Sequence, residues 1–211
     1  NVINTPAASS KSVAELVFSH LFGCVRFLHE SNRSMPLEGD TKFKELKKSY
    51  AGGTELSGKT LGIIGFGRIG QEVAKIAIGV GMKVIFYDKF NEQANIKLDF
   101  FDGQNLSFKL KSSTFDELLN NSDFITVHIP ASNEYIIDSD QIAKMKNGVG
   151  LLNLSRGGII NEEELIKNIE SGKISFAGID TFEGEPCPSM KILMNSNISL
   201  TPHIGAATGE A

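Results

Sequence analysis

The sequence predicts an α/β domain in which a doubly wound parallel sheet carries helices on both faces. Three observations predict it. Short, almost continuously apolar runs recur at residues 61–64, 84–87, 124–129, 149–154, 175–179 and 198–200, the pattern of strands buried on both sides. Most are separated by stretches with helical spacing and capping residues, the alternation that builds parallel sheets. The first run feeds directly into Gly65-Phe66-Gly67-Arg68-Ile69-Gly70. With 211 residues, 41% hydrophobic and 22% charged, the chain can bury a substantial core as one large domain or one and a half.

Residues 1–10 are polar and turn-rich. From about Ser12 a long helix is expected, because Val13, Leu16, Val17, Leu21, Cys24, Val25 and Leu28 recur at three- and four-residue steps. Phe18, Phe22 and Phe27 widen that stripe, so the helix should pack on two sides. Residues 31–57, with Pro36, Gly39, Gly52 and Gly53, read as a mobile connector holding one short helix near residues 43–46. Residues 90–113 show little periodicity and read as an irregular excursion with one short strand near 107–110. Thr114 and Glu117 form a capping box for a helix through Asn120. The 124–129 run ends at Pro130. Helices are expected at 139–146 and 161–171, the second opened by Asn161 and stopped by Gly172. There is no tandem repeat.

Residues 59–88 organise the rest. A strand, a glycine turn, an amphipathic helix and a second strand ending on Asp88 make up the dinucleotide fingerprint in its full context. Gly65 permits the tight turn, Gly67 lets backbone approach a pyrophosphate, and Gly70 lets the helix pack closely. The pyrophosphate would lie on the helix N-terminus. Asp88 can accept both ribose hydroxyls but would repel a 2′-phosphate, which favours NAD over NADP. The competing role for Asp88 is a loop-capping carboxylate.

A formal net charge of −4 gives no footprint for nucleic acid or an anionic membrane, and the short basic cluster at residues 42–48 reads as a solvated helix face. Cys24 and Cys187 form no disulfide framework and have no neighbours at metal-ligand spacing, so a reduced, cytoplasmic setting and no metal are expected. No apolar stretch reaches the ~18 residues of a membrane span. The chain starts at Asn1, so the reading leaves open a removed targeting segment.

Ligands of an open parallel sheet lie beyond the carboxyl ends of its strands. Polar residues follow strand after strand there: Asp88, His128 before Pro130, Ser155-Arg156-Gly157-Gly158, Asp180 and His203. Arg156 beside two glycines can grip a substrate carboxylate through two parallel hydrogen bonds, or pair with an acid for packing. His203, between Pro202 and Gly205, can exchange a proton with a carbonyl oxygen, or can be a structural histidine. Glu185 can favour its imidazolium, or can be a loop acid before Pro186. His128 reads as a strand-end histidine bonded to backbone, and His20 and His29, both placed on the first helix, carry no chemistry.

Those residues, with the segments 4–6, 12–16, 53–62, 128–130, 153–158, 180–186 and 201–205, resemble the D-isomer-specific 2-hydroxyacid dehydrogenases from end to end and in order. The wording of residues 53–70 is most similar to the D-3-phosphoglycerate dehydrogenases. The resemblance implies a Rossmann-type NAD-binding domain in which Arg156, Glu185 and His203 are catalytic. It implies cofactor contacts from the Gly65, Gly67 and Gly70 turn, from Pro130, from Arg68 and Ile69 at the pyrophosphate, Asp88 at the ribose, Leu154, Ser155, Arg156 and Asp180 near the nicotinamide, and His203, Gly205 and Ala206 around the ring. It divides the chain into residues 1–58, a crossover, dimerisation helix and connector, and residues 59–211, the NAD-binding core. It implies a homodimer through the first helix and connector. A second, substrate-binding domain is expected to be mostly absent. Asn161, where the family often has Asp, and residues 91–113 depart from its pattern.

The activity expected is NAD-dependent oxidation of a D-2-hydroxy acid, 3-phospho-D-glycerate first, at the entry to serine biosynthesis. The alternatives are a glyoxylate or hydroxypyruvate reductase, a D-lactate dehydrogenase, or an NAD(H)-sensing binding module similar to the C-terminal-binding-protein corepressors.

Overall fold

The computed structural model describes residues 8–210, so residues 4–6 of the resemblance lie outside it. Six parallel strands form one sheet: β1 (Thr60–Ile64), β2 (Lys83–Tyr87), β5 (Phe124–Val127), β6 (Val149–Asn153), β7 (Ile174–Ile179) and β8 (Ile198–Leu200), in the order β2-β1-β5-β6-β7-β8. The chain moves outward from β1 to β2 and then returns to lay β5 on the other side of β1. That reversal opens a crevice at the carboxyl ends of β1 and β5, the place where doubly wound sheets bind ligands.

The apolar runs follow from burial on both faces. Ile63 and Ile64 are adjacent, both buried, and belong to opposite cores. One core packs β-strand side chains against α1 (Ala8–Val25) and α4 (Arg68–Gly79). The other packs them against α5 (Phe115–Asn121), α6 (Ser139–Lys144) and α7 (Glu162–Glu170). The expected caps form: Thr114 and Glu117 bond reciprocally, and Asn161 Oδ1 accepts from the N–H groups of Glu163 and Glu164. The wide stripe of α1 is used within the chain, where Val13, Val17, Phe18 and Leu21 pack beside α4 and over β6, β7 and β8.

Three regions differ from the expectation. The first helix stops at Val25, and Phe27, at φ 53°, turns the chain into α2 (Leu28–Glu38); α3 (Phe43–Ser49) follows. The connector is therefore largely helical. It escaped detection because α2 buries no residue, so no apolar period marks it. Residues 90–113 are not an irregular excursion. They form an antiparallel hairpin, β3 (Gln93–Asp99) and β4 (Asn105–Lys111), turned at Gly103 (φ 84°). Ile96 opposite Phe108 and Ala94 opposite Leu110 face the α1–α4 core, while Lys97 and Lys109 face out. A four-residue helix, α8 (Met190–Leu193), capped by Ser189, also went unforeseen.

No helix among the described residues is long and apolar enough to cross a membrane.

Ile96 is 1% exposed. If the hairpin is part of the core, Ile96→Ala should cost about 2–4 kcal/mol in urea unfolding, the range for deleting a buried aliphatic side chain. A loss below about 0.5 kcal/mol, typical of surface positions, would show that the hairpin does not support the fold.

Candidate active site

The carboxyl edge is shaped first by the glycine turn. Gly65 has φ 89°, and a Cβ there would collide with the His128 carbonyl oxygen. A Cβ on Gly70 would strike the Gly65 carbonyl oxygen, so α4 packs directly on the turn. A Cβ on Gly67 would meet nothing within 4 Å. Gly67 is also the N-cap of α4 and supplies no side-chain cap, which leaves first-turn N–H groups facing open space. An open, glycine-lined helix start between two tightly packed glycines fits the pyrophosphate of a dinucleotide.

Asp88 closes this turn. Its Oδ2 accepts the Phe66 N–H at 2.6 Å, and its Oδ1 accepts the N–H groups of Phe90 and Asn91, both at 2.9 Å, and Asn91 Nδ2 at 3.1 Å. Partial burial works to raise its carboxyl, but these donors outweigh burial and hold it below the usual carboxylate range. Asp88 thus fulfils the loop-capping role, with acceptor capacity left on Oδ2 for a hydroxyl.

Past β6, Asn153 staples the next turn. Its Oδ1 accepts Ser155 N–H at 3.2 Å and Ser155 Oγ–H at 2.8 Å, and its Nδ2 donates to the Arg156 carbonyl at 2.9 Å. A Cβ on Gly157 would collide with the Phe182 carbonyl, so this turn lies against the segment after β7. Leu154 and Ser155 are buried, whereas Pro130 and Arg156 are exposed. Arg156 Nη1 donates to the Ser155 carbonyl at 2.6 Å, and no acid pairs with Arg156 among the described residues. Its guanidinium opens onto a cleft of about 350 Å³ shared with Tyr135, Gly158, Phe182, Glu185 and His203.

In that cleft His203 Nδ1 lies 2.9 Å from Glu185 Oε2. A carboxylate only accepts, so Nδ1 carries the proton and donates, leaving Nε2 as the nitrogen available to exchange one. Glu185 is itself anchored, its Oε1 accepting the Phe182 N–H at 2.8 Å. Desolvation pushes Glu185 upward, but hydrogen bonds from His203 and Phe182 and the nearby His203 and Arg156 charges hold it below the ordinary range. A second, apolar groove of about 390 Å³ adjoins His203, lined by Pro186, Pro188, Leu193 and Leu200.

Asp180 is 1% exposed and lies beneath the His203 turn. Its Oδ1 accepts Thr201 Oγ1–H at 2.6 Å and Ile204 N–H at 2.8 Å, and its Oδ2 accepts Gly205 N–H at 2.8 Å. Gly205 is buried and Ala206 exposed. Sequence reasoning missed Glu162, Glu183 and Tyr135. Glu162 Oε1 accepts Glu183 N–H at 2.7 Å, Glu183 Oε1 accepts Glu162 N–H at 3.1 Å, and Tyr135 donates to Glu183 at 3.2 Å. This clamp fixes the loop that carries Glu185. Burial raises the Glu162 carboxyl.

His128 bonds the Thr126 hydroxyl at 2.9 Å rather than backbone, and its Nδ1 is enclosed without a partner among the described residues. Burial pushes its imidazole down to about 3, so it stays neutral. His29 lies on α2, not the first helix. Among the described residues no group of three or more His, Cys, Asp or Glu could hold a metal ion.

A family model described as "D-isomer specific 2-hydroxyacid dehydrogenase, NAD binding domain" matches residues 18–205. The chain is 44% identical over 215 residues to a hydroxypyruvate reductase of Thermotoga maritima, covering 100% of this chain and 64% of that protein. It is 38% identical over 212 residues to a D-3-phosphoglycerate dehydrogenase of Bacillus subtilis, covering 100% of this chain and 38% of that protein. Among solved structures, the holo form of Rhodotorula graminis D-mandelate dehydrogenase superposes with a TM-score of 0.82 at 27% identity, over 96% of this chain and 58% of that one. The chain thus spans less than two thirds of the length of each of these proteins.

Because Gly67 has φ −73° and free space beyond its Cα, Gly67→Ala should leave the thermal unfolding midpoint within 1–2 °C of wild type, consistent with a change of about 0.5 kcal/mol or less. It should weaken NADH binding about tenfold or more in a fluorescence titration, or at least 1.4 kcal/mol. Unchanged affinity would place the cofactor elsewhere.

Proposed function

The chain belongs to the D-isomer specific 2-hydroxyacid dehydrogenase family, and on that premise we propose that the full-length protein interconverts a D-2-hydroxy acid and its 2-keto acid with NAD(H). The observation that carries this reading is the His203–Glu185 pair at 2.9 Å, set in one cleft with an Arg156 that has no acid partner among the described residues. Bound NAD(H) supplies the hydride acceptor or donor. Arg156 grips the substrate carboxylate, which fixes the adjacent C2 oxygen. His203 Nε2 takes the proton from the C2 hydroxyl during oxidation and returns it to the carbonyl oxygen during reduction. Glu185, anchored by the Phe182 N–H, stabilises the imidazolium and holds its ring. The Gly65, Gly67 and Gly70 turn with Arg68 and Ile69 receives the pyrophosphate, Asp88 the ribose, and Pro130, Leu154, Ser155, Asp180, Gly205 and Ala206 surround the nicotinamide.

The substrate assigned first is 3-phospho-D-glycerate, supported by the wording of residues 53–70 and by the 38% identical phosphoglycerate dehydrogenase. A second reading, reduction of hydroxypyruvate, is favoured by the 44% identical reductase. Comparing kcat/KM for 3-phosphoglycerate and D-glycerate on the full-length protein separates them. Preference for the unphosphorylated acid selects the second. A homodimer through α1 and the connector is supported by Phe22, Leu28, Met35 and Leu37, which α1 and α2 leave exposed. A monomer in sedimentation would remove that part of the reading.

His203→Ala and Arg156→Ala should each lower kcat/KM about 10²–10⁴-fold, the range for losing a positioned acid–base or carboxylate-binding group. Near-wild-type turnover by either, or NADH binding without turnover of any 2-hydroxy acid, would overturn the reading. Glu185→Gln keeps an acceptor for His203 Nδ1 but removes the charge opposite the imidazolium, so kcat should fall about tenfold or more. An unchanged kcat would remove Glu185 from this role.

A further inference from the structure

The first helix grips the His203 turn at two points two helical turns apart. Near its start, Ser12 Oγ lies 2.9 Å from Thr208 Oγ1. Eight residues later, about 12 Å along the axis, His20 is 3% exposed and uses both ring nitrogens. Its Nδ1 lies 2.8 Å from Ser199 Oγ and its Nε2 2.9 Å from Thr201 Oγ1. Between the two grips, Gly205 lies so close to Val13 that an added Cβ would come within 3.4 Å of Val13 Cγ2.

The hydrogens in this chain can be assigned from donor capacity. Asp180 Oδ1, as a carboxylate oxygen, accepts from Thr201 Oγ1 at 2.6 Å. The single Thr201 hydroxyl proton is therefore committed to Asp180, and toward His20 the same oxygen only accepts. His20 Nε2 must carry the hydrogen. Its Nδ1 is then bare and accepts from the Ser199 hydroxyl. Burial also keeps this ring neutral, pushing His20 below its ordinary value against the pull of Asp180. One tautomer satisfies every group, and the donors run in one direction from His20 through Thr201 to Asp180.

Asp180 is the far end of that chain and the underside of the active-site turn, where it accepts the N–H groups of Ile204 and Gly205. Those two amides directly follow His203, whose φ of 56° is a left-handed conformation that non-glycine residues seldom adopt. The surroundings must hold such a residue there. The His203 N–H adds one bond, to the Thr201 carbonyl at 3.0 Å. Thr201 thus bonds His203 through its backbone and both His20 and Asp180 through its side chain.

We infer that His20, acting through Thr201 and Asp180, is a positioning residue that sets the turn on which His203 exchanges its proton. His20 touches neither substrate nor cofactor in this account. The inference rests on the proposed acid–base role of His203, and the test separates the two.

The experiment uses the full-length protein, with D-2-hydroxy-acid oxidation followed by NADH absorbance. His20→Leu removes the donor and keeps an apolar side chain in the site. It should lower kcat about tenfold or more, with KM for the hydroxy acid and the Kd for NADH within about twofold of wild type. A loss of folding alone would not produce that split. His20→Gln, which offers an amide N–H to Thr201 and a carbonyl to Ser199, should recover most of kcat. Should His20→Leu fail to fold, Thr201→Val severs the same chain at its centre with little change in volume, and should show the same kcat loss with unchanged NADH affinity. If His203→Ala is inactive while His20→Leu, or Thr201→Val in its place, turns over at the wild-type kcat, the positioning role is overturned and the acid–base reading stands. If His203→Ala is itself active, the acid–base reading fails first.

Discussion

Hydrogen bonds from backbone N–H groups to side-chain carboxylates hold most loops of the candidate site, and the Asn153 amide holds the turn after β6. Beyond the strand ends the chain loses its sheet partners, and buried amides must find others. Asp88 takes the Phe66 amide, Asp180 those of Ile204 and Gly205, Glu185 that of Phe182, and Glu162 and Glu183 each take the other's. Bonds to a charged acceptor are shorter and about twice as strong as neutral ones, so they fix loops that carry little apolar packing of their own. The negative charge of a chain at formal net −4 is in this way partly committed to architecture at the edge where ligands bind.

This gives several acids two tasks. Asp88 closes the glycine turn and still has acceptor capacity for a ribose hydroxyl. Glu185 bonds the Phe182 amide through one oxygen and the His203 ring through the other, so the ring and the loop that carries Glu185 share an anchor. Asp180 is buried below the turn and holds the amides of Ile204 and Gly205 there. Arg156 contrasts with all of them, being exposed and without an acid partner among the described residues, which leaves its guanidinium open to an anionic ligand.

Much of this was legible because the signals are local. The 65-67-70 glycine spacing encodes a positive φ, an open face and a close packing contact, and each occurs where expected. Thr114 with Glu117, and Asn161 with the following acids, cap their helices within three residues. What stayed hidden depended on distant partners or weak patterns. The β3–β4 hairpin alternates apolar residues with lysines and reads as featureless until Ile96 is seen beneath α4. The α2 helix buries nothing and so leaves no period. His20 bonds residues 179 and 181 positions away, a relation that only the assembled sheet creates.

The claim on which the account turns is that His203 holds its proton at Nδ1 against Glu185 and exchanges one at Nε2. Nitrogen-15 NMR of histidine-labelled full-length protein, saturated with NADH and titrated with the non-reducible keto-acid analogue oxamate, observes both nitrogens. The His203 signals are identified by their loss in His203→Ala. The account predicts a protonated Nδ1 throughout and an Nε2 resonance that moves toward the protonated form as oxamate binds beside Arg156. Oxamate binding with both His203 nitrogens unmoved would contradict it.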